Sequence, residues 1–133
     1  PLYPDKELLK KMSDGVKEVR TELARPSVDC SEWLYDCTTV LVAGKPDEIF
    51  LDDTVNIIES CKKRGIKLPG PWGAHISAAR FTKRVAPEQL KDFFALMREA
   101  PNLGNSKPNR IDVTTLYVNK KAFNFDVFES FSL

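Results

Sequence analysis

The chain of 133 residues is 42% hydrophobic, enough to bury one core without outside help, so a single domain over residues 1–133 is the default. Its 20 basic residues nearly cancel its 19 acidic ones, which excludes a global field that would draw in a polyanion or an anionic membrane and leaves any nucleic-acid contact local. No apolar run approaches the roughly 20 residues needed to cross a bilayer, and no charged n-region followed by an apolar h-region opens the chain. Cys30, Cys37 and Cys61 leave an odd thiol under full pairing and lack paired zinc-ribbon or redox spacing. Reduced thiols in a cytoplasmic protein with no membrane contact are therefore expected.

From Asp5 to Ala24, Leu8, Leu9, Met12, Val16, Val19 and Leu23 recur at helical spacing, with Lys and Glu opposite. This predicts a helix packed on one side, weakened at Gly15 and stopped by Arg25-Pro26, because a residue before proline avoids the α region. Trp33 to Ala43 is rich in β-branched and aromatic residues and predicts one buried strand ending at Gly44-Lys45-Pro46. A second helix follows, with Asp52 or Asp53 as N-cap and a stripe of Leu51, Val55, Ile58 and Cys61. It ends in a basic last turn, Lys62-Lys63-Arg64, with Gly65 at the C′ position.

After the loop Pro69-Gly70-Pro71, Trp72 to Thr82 reads as a strand. Ala86-Pro87-Glu88 starts a third helix carried by Leu90, Phe93, Phe94 and Met97 and ended by Pro101. Arg110 to Val118 and Ala122 to Phe131 predict a closing hairpin across Asn119-Lys120-Lys121. This order implies an α+β fold, a mixed and largely antiparallel sheet with helices packed on one face.

The segment with the clearest chemistry is His75-Ile76-Ser77-Ala78-Ala79-Arg80. Residues two apart in a strand share a face, so His75 and Ser77 present an imidazole and a hydroxyl together, with Ile76 expected in the core. An imidazole moves a proton at an ester oxygen, and a hydroxyl donates to a non-bridging phosphate oxygen. Arg80 adds a planar fork for phosphate, but strict alternation puts it on the opposite face unless the strand twists, bulges or ends there. The plainer reading of a lone strand histidine is a hydrogen-bonded structural residue.

The stretch Pro71-Trp72-Gly73-Ala74-His75-Ile76-Ser77-Ala78-Ala79-Arg80-Phe81 resembles the second signature of the two-histidine phosphoesterases, the LigT-like RNA ligase and cyclic phosphodiesterase superfamily. Leu116-Tyr117 and Phe131-Ser132-Leu133 stand where that family ends its last two strands. The resemblance covers the second half of the chain closely and the first half only in the order of its elements. It implies a bilobal fold in which two His-x-Thr/Ser motifs act as base and acid on a 2′,3′-cyclic phosphate or a 2′-5′ linkage, with no metal or other cofactor. His75 and Ser77 would then be catalytic, with Arg80, Trp72 and Tyr117 binding an RNA end or nucleotide. The chain has a single histidine, so at most half of that machinery is present. Asp36-Cys37-Thr38 and Asp112-Val113-Thr114 share the outline with aspartate in place of histidine, and ordinary strand threonines explain both better.

Three explanations of the missing histidine stand open: a partner lobe upstream of Pro1 or on another chain, a degenerate binding member, or an accidental likeness. A chain that begins at Pro1 without Met fits the first, and an apolar groove left by a missing lobe would call for a homodimer. A non-catalytic interaction domain, and a small-metabolite enzyme pairing His75 with Asp36 or Asp112, are the competing functions. The clusters Lys62-Lys63-Arg64-Lys67, Lys83-Arg84 and Lys120-Lys121 would suit an RNA backbone but are read first as solvated surface. A Pro1 amine base, an Asp52-Asp53 carboxylate pair and a Cys30, Cys37, Cys61 and His75 zinc set are each disfavoured by local sequence or spacing.

Overall fold

In the computed structural model, residues 5–70, 73–118 and 123–133 are described, the last segment without the side chain of Phe123. The elements run α1 (Lys6–Val19), β1 (Val28–Tyr35), β2 (Thr39–Pro46), α2 (Glu48–Lys63), β3 (Ala74–Arg80), α3 (Pro87–Arg98), β4 (Asn105–Ser106), β5 (Arg110–Val118) and β6 (Phe123–Ser132). The fold is α+β, and every strand pair among the described residues is antiparallel. No helix among them is long and apolar enough to cross a membrane. The chain divides into two compact units, one of Pro1–Pro26, Glu48–Pro71 and Pro108–Leu133, the other of Ser27–Asp47 and Trp72–Lys107.

The first unit holds α1, α2 and the β5–β6 hairpin. Asp5 starts α1 by accepting the N–H groups of Glu7 at 2.9 Å and Leu8 at 3.2 Å, which satisfies two of the first turn's free donors. The helix ends at Val19, short of the expected Ala24. A 3₁₀ turn over Arg20–Glu22 follows, and Leu23 is already extended, as the approaching Arg25-Pro26 pair requires. Leu9 and Val16 of α1 form a buried cluster with Val113 of β5 and Phe131 of β6, flanked by Met12, Leu23, Ile57 and Ile111. Each such side chain removed from water contributes about 1.5–3 kcal/mol.

The second helix departs from the sequence expectation at its start. It begins at Glu48, so Asp52 and Asp53 lie inside it rather than at its cap, and Leu51 and Val55 are exposed. Asp53 is buried and accepts the N–H of Ala24 at 3.2 Å; the carboxylate caps the chain leaving α1, not its own helix. The expected C-terminus holds. Gly65 has φ +76°, its N–H bonds to Lys62 O at 3.0 Å, and the Ile66 N–H bonds to Cys61 O at 3.1 Å, the paired closure of a Schellman motif.

Small residues bring α1 and α2 together. Ser60 and Cys61 are buried, and the Ser60 hydroxyl donates to Gly15 O at 2.9 Å. A Cβ at Gly15 would lie 2.8 Å from Cys61 Sγ, so this glycine permits the close approach. Burial pushes the Cys61 thiol up from its ordinary pKa, marking a packing group rather than a nucleophile.

The second unit is a four-stranded sheet in the order β3-β2-β1-β4 with α3 beside it. The single strand expected over Trp33–Ala43 is instead the β1–β2 hairpin. Asp36 opens the turn, its Oδ1 accepting the N–H groups of Thr38 at 2.6 Å and Thr39 at 2.7 Å and the Thr38 hydroxyl at 2.7 Å. This is an Asx-type turn, in which a short carboxylate replaces ladder bonds and reverses the chain. Pro87 begins α3, and Gln89 Oε1 accepts the Ala86 N–H at 3.3 Å. Phe93 of α3 meets Tyr35 edge-on at 5.1 Å and Phe81 at 5.3 Å, and Trp33 Nε1 donates to Pro101 O at 2.8 Å.

The helix contact yields a double-mutant test. Gly15→Ala should lower stability by about 1–3 kcal/mol through overpacking, despite a gain of ~1 kcal/mol in helix propensity. In a Cys61→Ala background the same substitution should be neutral or stabilising. Urea unfolding of the four proteins of the cycle checks this, and equal effects of Gly15→Ala in both backgrounds would contradict the contact.

Candidate functional site

The register of β3 on β2 decides which side chains share a face. His75 lies opposite Ala43, Ser77 opposite Leu41, Ala79 opposite Val40 and Arg80 opposite Thr39. One step along β2, from Leu41 to Val40, is thus matched by two along β3, from Ser77 to Ala79, and Ala78 is the extra residue of a β-bulge. Directly opposed residues point to the same side of a sheet, and Thr39, Leu41 and Ala43 alternate regularly along β2. His75, Ser77 and Arg80 therefore project from one face, because the bulge shifts the alternation by one residue before Arg80.

The opposite face carries Val40 and Val42, both buried, with Trp33 and Tyr35 beside them in register. Here the structure corrects the expectation for Ile76. It pairs with Val42 on this core-facing side, yet it is 45% exposed, since β3 is the end strand of its sheet among the described residues.

On the site face, all three polar residues of β3 are exposed. His75 and Ser77 stand about 7 Å apart along the strand. The register places Glu32 of β1 opposite Ala43, which is itself opposite His75, so an exposed carboxylate and the imidazole occupy one cross-strand row with only a methyl group between. Two strand spacings put their backbones about 10 Å apart. Sequence reasoning missed Glu32, because its placement depends on a register shift in β1 between Asp29 and Glu32 that no local signal announces.

At the other end of the row, Arg80 lies opposite Thr39, and its charge acts on the nearby Asp36. The Asp36 carboxyl is held below the usual carboxylate range, first by the Thr38 hydroxyl, then by the Thr38 and Thr39 N–H groups, with Arg80 adding to the effect. Asp36 is thus an ionised turn cap. Asp112 belongs to the other unit, where Arg110 Nε donates to it at 3.0 Å and the Ser130 hydroxyl at 2.7 Å.

Two further residues were expected at the site. Trp72 lies outside the described residues. Tyr117 belongs to the first unit, on β5 opposite Asn124, and is partly exposed. Of the basic clusters, Lys62 pairs with Glu59, and both Lys63 and Arg64 with Glu18, while Lys83 and Arg84 are exposed before α3. Lys120-Lys121 falls outside the described residues. No group of three or more His, Cys, Asp or Glu among the described residues is arranged to hold a metal ion. Comparison with protein-family models and with curated protein sequences gives no match.

The Asp36 turn has a pH signature. With its folded pKa depressed, its contribution to stability is complete above the unfolded value of ~3.9 and is lost as pH falls through the folded value. In an NMR titration the Thr38 and Thr39 amide shifts should move together with a midpoint below ~3.9. Midpoints at or above that value would mean that the carboxylate does not cap the turn.

Proposed function

We propose that the face of β3 bearing His75, Ser77 and Arg80 is a phosphate-ester site acting on 2′,3′-cyclic or 2′-5′ phosphate esters of an RNA end or nucleotide. The observation that carries the reading is the bulge at Ala78, which aligns an imidazole, a hydroxyl and a guanidinium on one side of an exposed strand. A phosphate uses each in a different way. Arg80 pairs with two non-bridging oxygens, Ser77 donates to one, and His75 transfers a proton at an ester or water oxygen.

With one histidine in the chain, hydrolysis needs a second proton-transfer group, and the shared cross-strand row supports Glu32 in that role. In this reading the phosphorus centre would lie over Ala43, between the rows of Glu32 and His75. One of the pair takes the proton of the attacking water while the other protonates the leaving 2′ or 3′ oxygen. The chemistry proposed is metal-free, and the resemblance to the two-histidine phosphoesterases rests on the motif around His75. Free thiols at Cys30, Cys37 and Cys61 support a cytoplasmic setting.

The competing reading is a binding module that holds a phosphate without turning it over, favoured by the single histidine. Pairing His75 with Asp36 in a small-metabolite enzyme is the weaker alternative, since that carboxylate is engaged in its turn.

The discriminating measurement is paired. His75→Ala should cut turnover of a 2′,3′-cyclic nucleotide by roughly 100-fold to 10,000-fold while leaving the thermal midpoint unchanged, and a chelator should alter neither. Wild-type protein that binds the nucleotide without turnover identifies the module. A large fall in midpoint in the variant identifies a structural histidine.

Deleting Ala78 tests the geometry separately. Regular alternation should then put Arg80 two positions after Ser77 and keep it on the face of His75, so phosphate binding should survive the deletion, whereas Arg80→Gln should weaken it by about 10-fold or more, the loss expected for one charge-assisted pair. Unchanged binding in Arg80→Gln would remove Arg80 from the site.

A further inference from the structure

On the α3 side of the four-stranded sheet, a cavity of about 430 Å³ opens between the β1–β2 turn and α3, a size typical of small-molecule pockets. Its walls are Tyr35, Phe81, Phe93 and Phe94, with Leu90 and Val85 completing the apolar lining. Phe93 stands at 88° to Tyr35 and at 75° to Phe81. These edge-to-face contacts hold the rings in position and keep the cavity from closing by stacking.

The polar groups lie elsewhere in the lining: Asp36 and Cys37 from the turn, and Arg84 from the segment before α3. Asp36 already accepts three hydrogen bonds and feels the charge of Arg80. Arg84 is exposed and forms no ion pair among the described residues. An adjoining cavity of about 290 Å³ shares Phe81, Arg84 and Val85 and adds Lys83 and Arg80. The mouth is therefore cationic and the interior aromatic.

We propose that this cavity binds a small aromatic anion, its ring among Tyr35, Phe81 and Phe93 and its acid group on Arg84. The charge pattern selects that occupant. A neutral apolar molecule would leave the guanidinium without a partner, and an anion without a ring would gain only a screened surface contact. A one-ring or two-ring acid satisfies both halves at once. The cavity between Tyr35, Phe81 and Phe93 does not rest on the phosphate-ester reading of His75 and Ser77, and Arg80 of the adjoining cavity is the residue common to both.

The test uses indole-3-acetate, its neutral amide indole-3-acetamide, and phenyl phosphate, titrated by calorimetry into the whole chain. Indole-3-acetate should bind saturably, and the amide about 10-fold to 100-fold more weakly, as expected for loss of a charge-assisted hydrogen bond. Tighter binding of phenyl phosphate would assign the mouth to an aromatic phosphate, and of indole-3-acetate to a carboxylate; either supports the proposal. Arg84→Gln, at an exposed position that folding does not need, should remove the preference for acid over amide. Cys37 supplies a second readout as the exposed thiol beside two buried ones, Cys30 and Cys61. Bound acid should slow its alkylation by iodoacetamide. Failure of the acids to bind, equal binding of acid and amide, indifference to Arg84→Gln, or an unprotected Cys37 would each overturn the assignment.

Discussion

Strand β2 is the member on which the second unit depends. Val42 is completely buried, Val40 nearly so, and both edges of the strand are hydrogen-bonded, to β1 on one side and β3 on the other. Because Val40 and Val42 must face the aromatic side chains near α3, Thr39, Leu41 and Ala43 must face the other way. β3 pairs with no other strand among the described residues, so its facing is inherited from β2 through the ladder. A one-residue change of register there would exchange every polar group of the site for an apolar one.

A related constraint governs the helix pair of the first unit. Gly15, Ser60 and Cys61 set its closeness, and the hydrogen bond from the Ser60 hydroxyl to Gly15 O fixes its register. Charges then dress the contact. Arg64 donates to Ser60 O and Oγ and pairs with Glu18, whose carboxyl it holds below the usual range. Nearer the β6 end, Glu129 takes Lys17 and the buried Ser13 hydroxyl as partners. The polar groups of this unit thus serve packing.

The second unit separates polar and apolar side chains onto the two faces of its sheet. The site face has small or half-exposed side chains at its centre and ionisable ones at its margins, Glu32 and His75 in one row and Arg80 in another. Across the sheet, aromatic rings enclose space instead of filling it. One face is polar and the other apolar, divided by a single layer of backbone.

The sequence by itself determined the elements whose signals are local. Asp5 and Pro87 mark helix starts, Gly65 a helix end, and the β-branched and aromatic runs of β5 and β6 mark strands, because caps, left-handed glycines and period-two patterns act within a few residues. It also placed His75 beside Ser77. Tertiary structure decided what depends on distant partners. Asp36-Cys37-Thr38 became a turn splitting one expected strand into two. Asp53 became a buried acceptor for Ala24. Ile76 stayed half open because β3 lies at the sheet's end. Arg80 and Glu32 joined the face of His75 only through register shifts against β2. Such shifts arise when two strands with their own apolar patterns must be reconciled in one ladder, and neither strand's sequence contains the other's pattern.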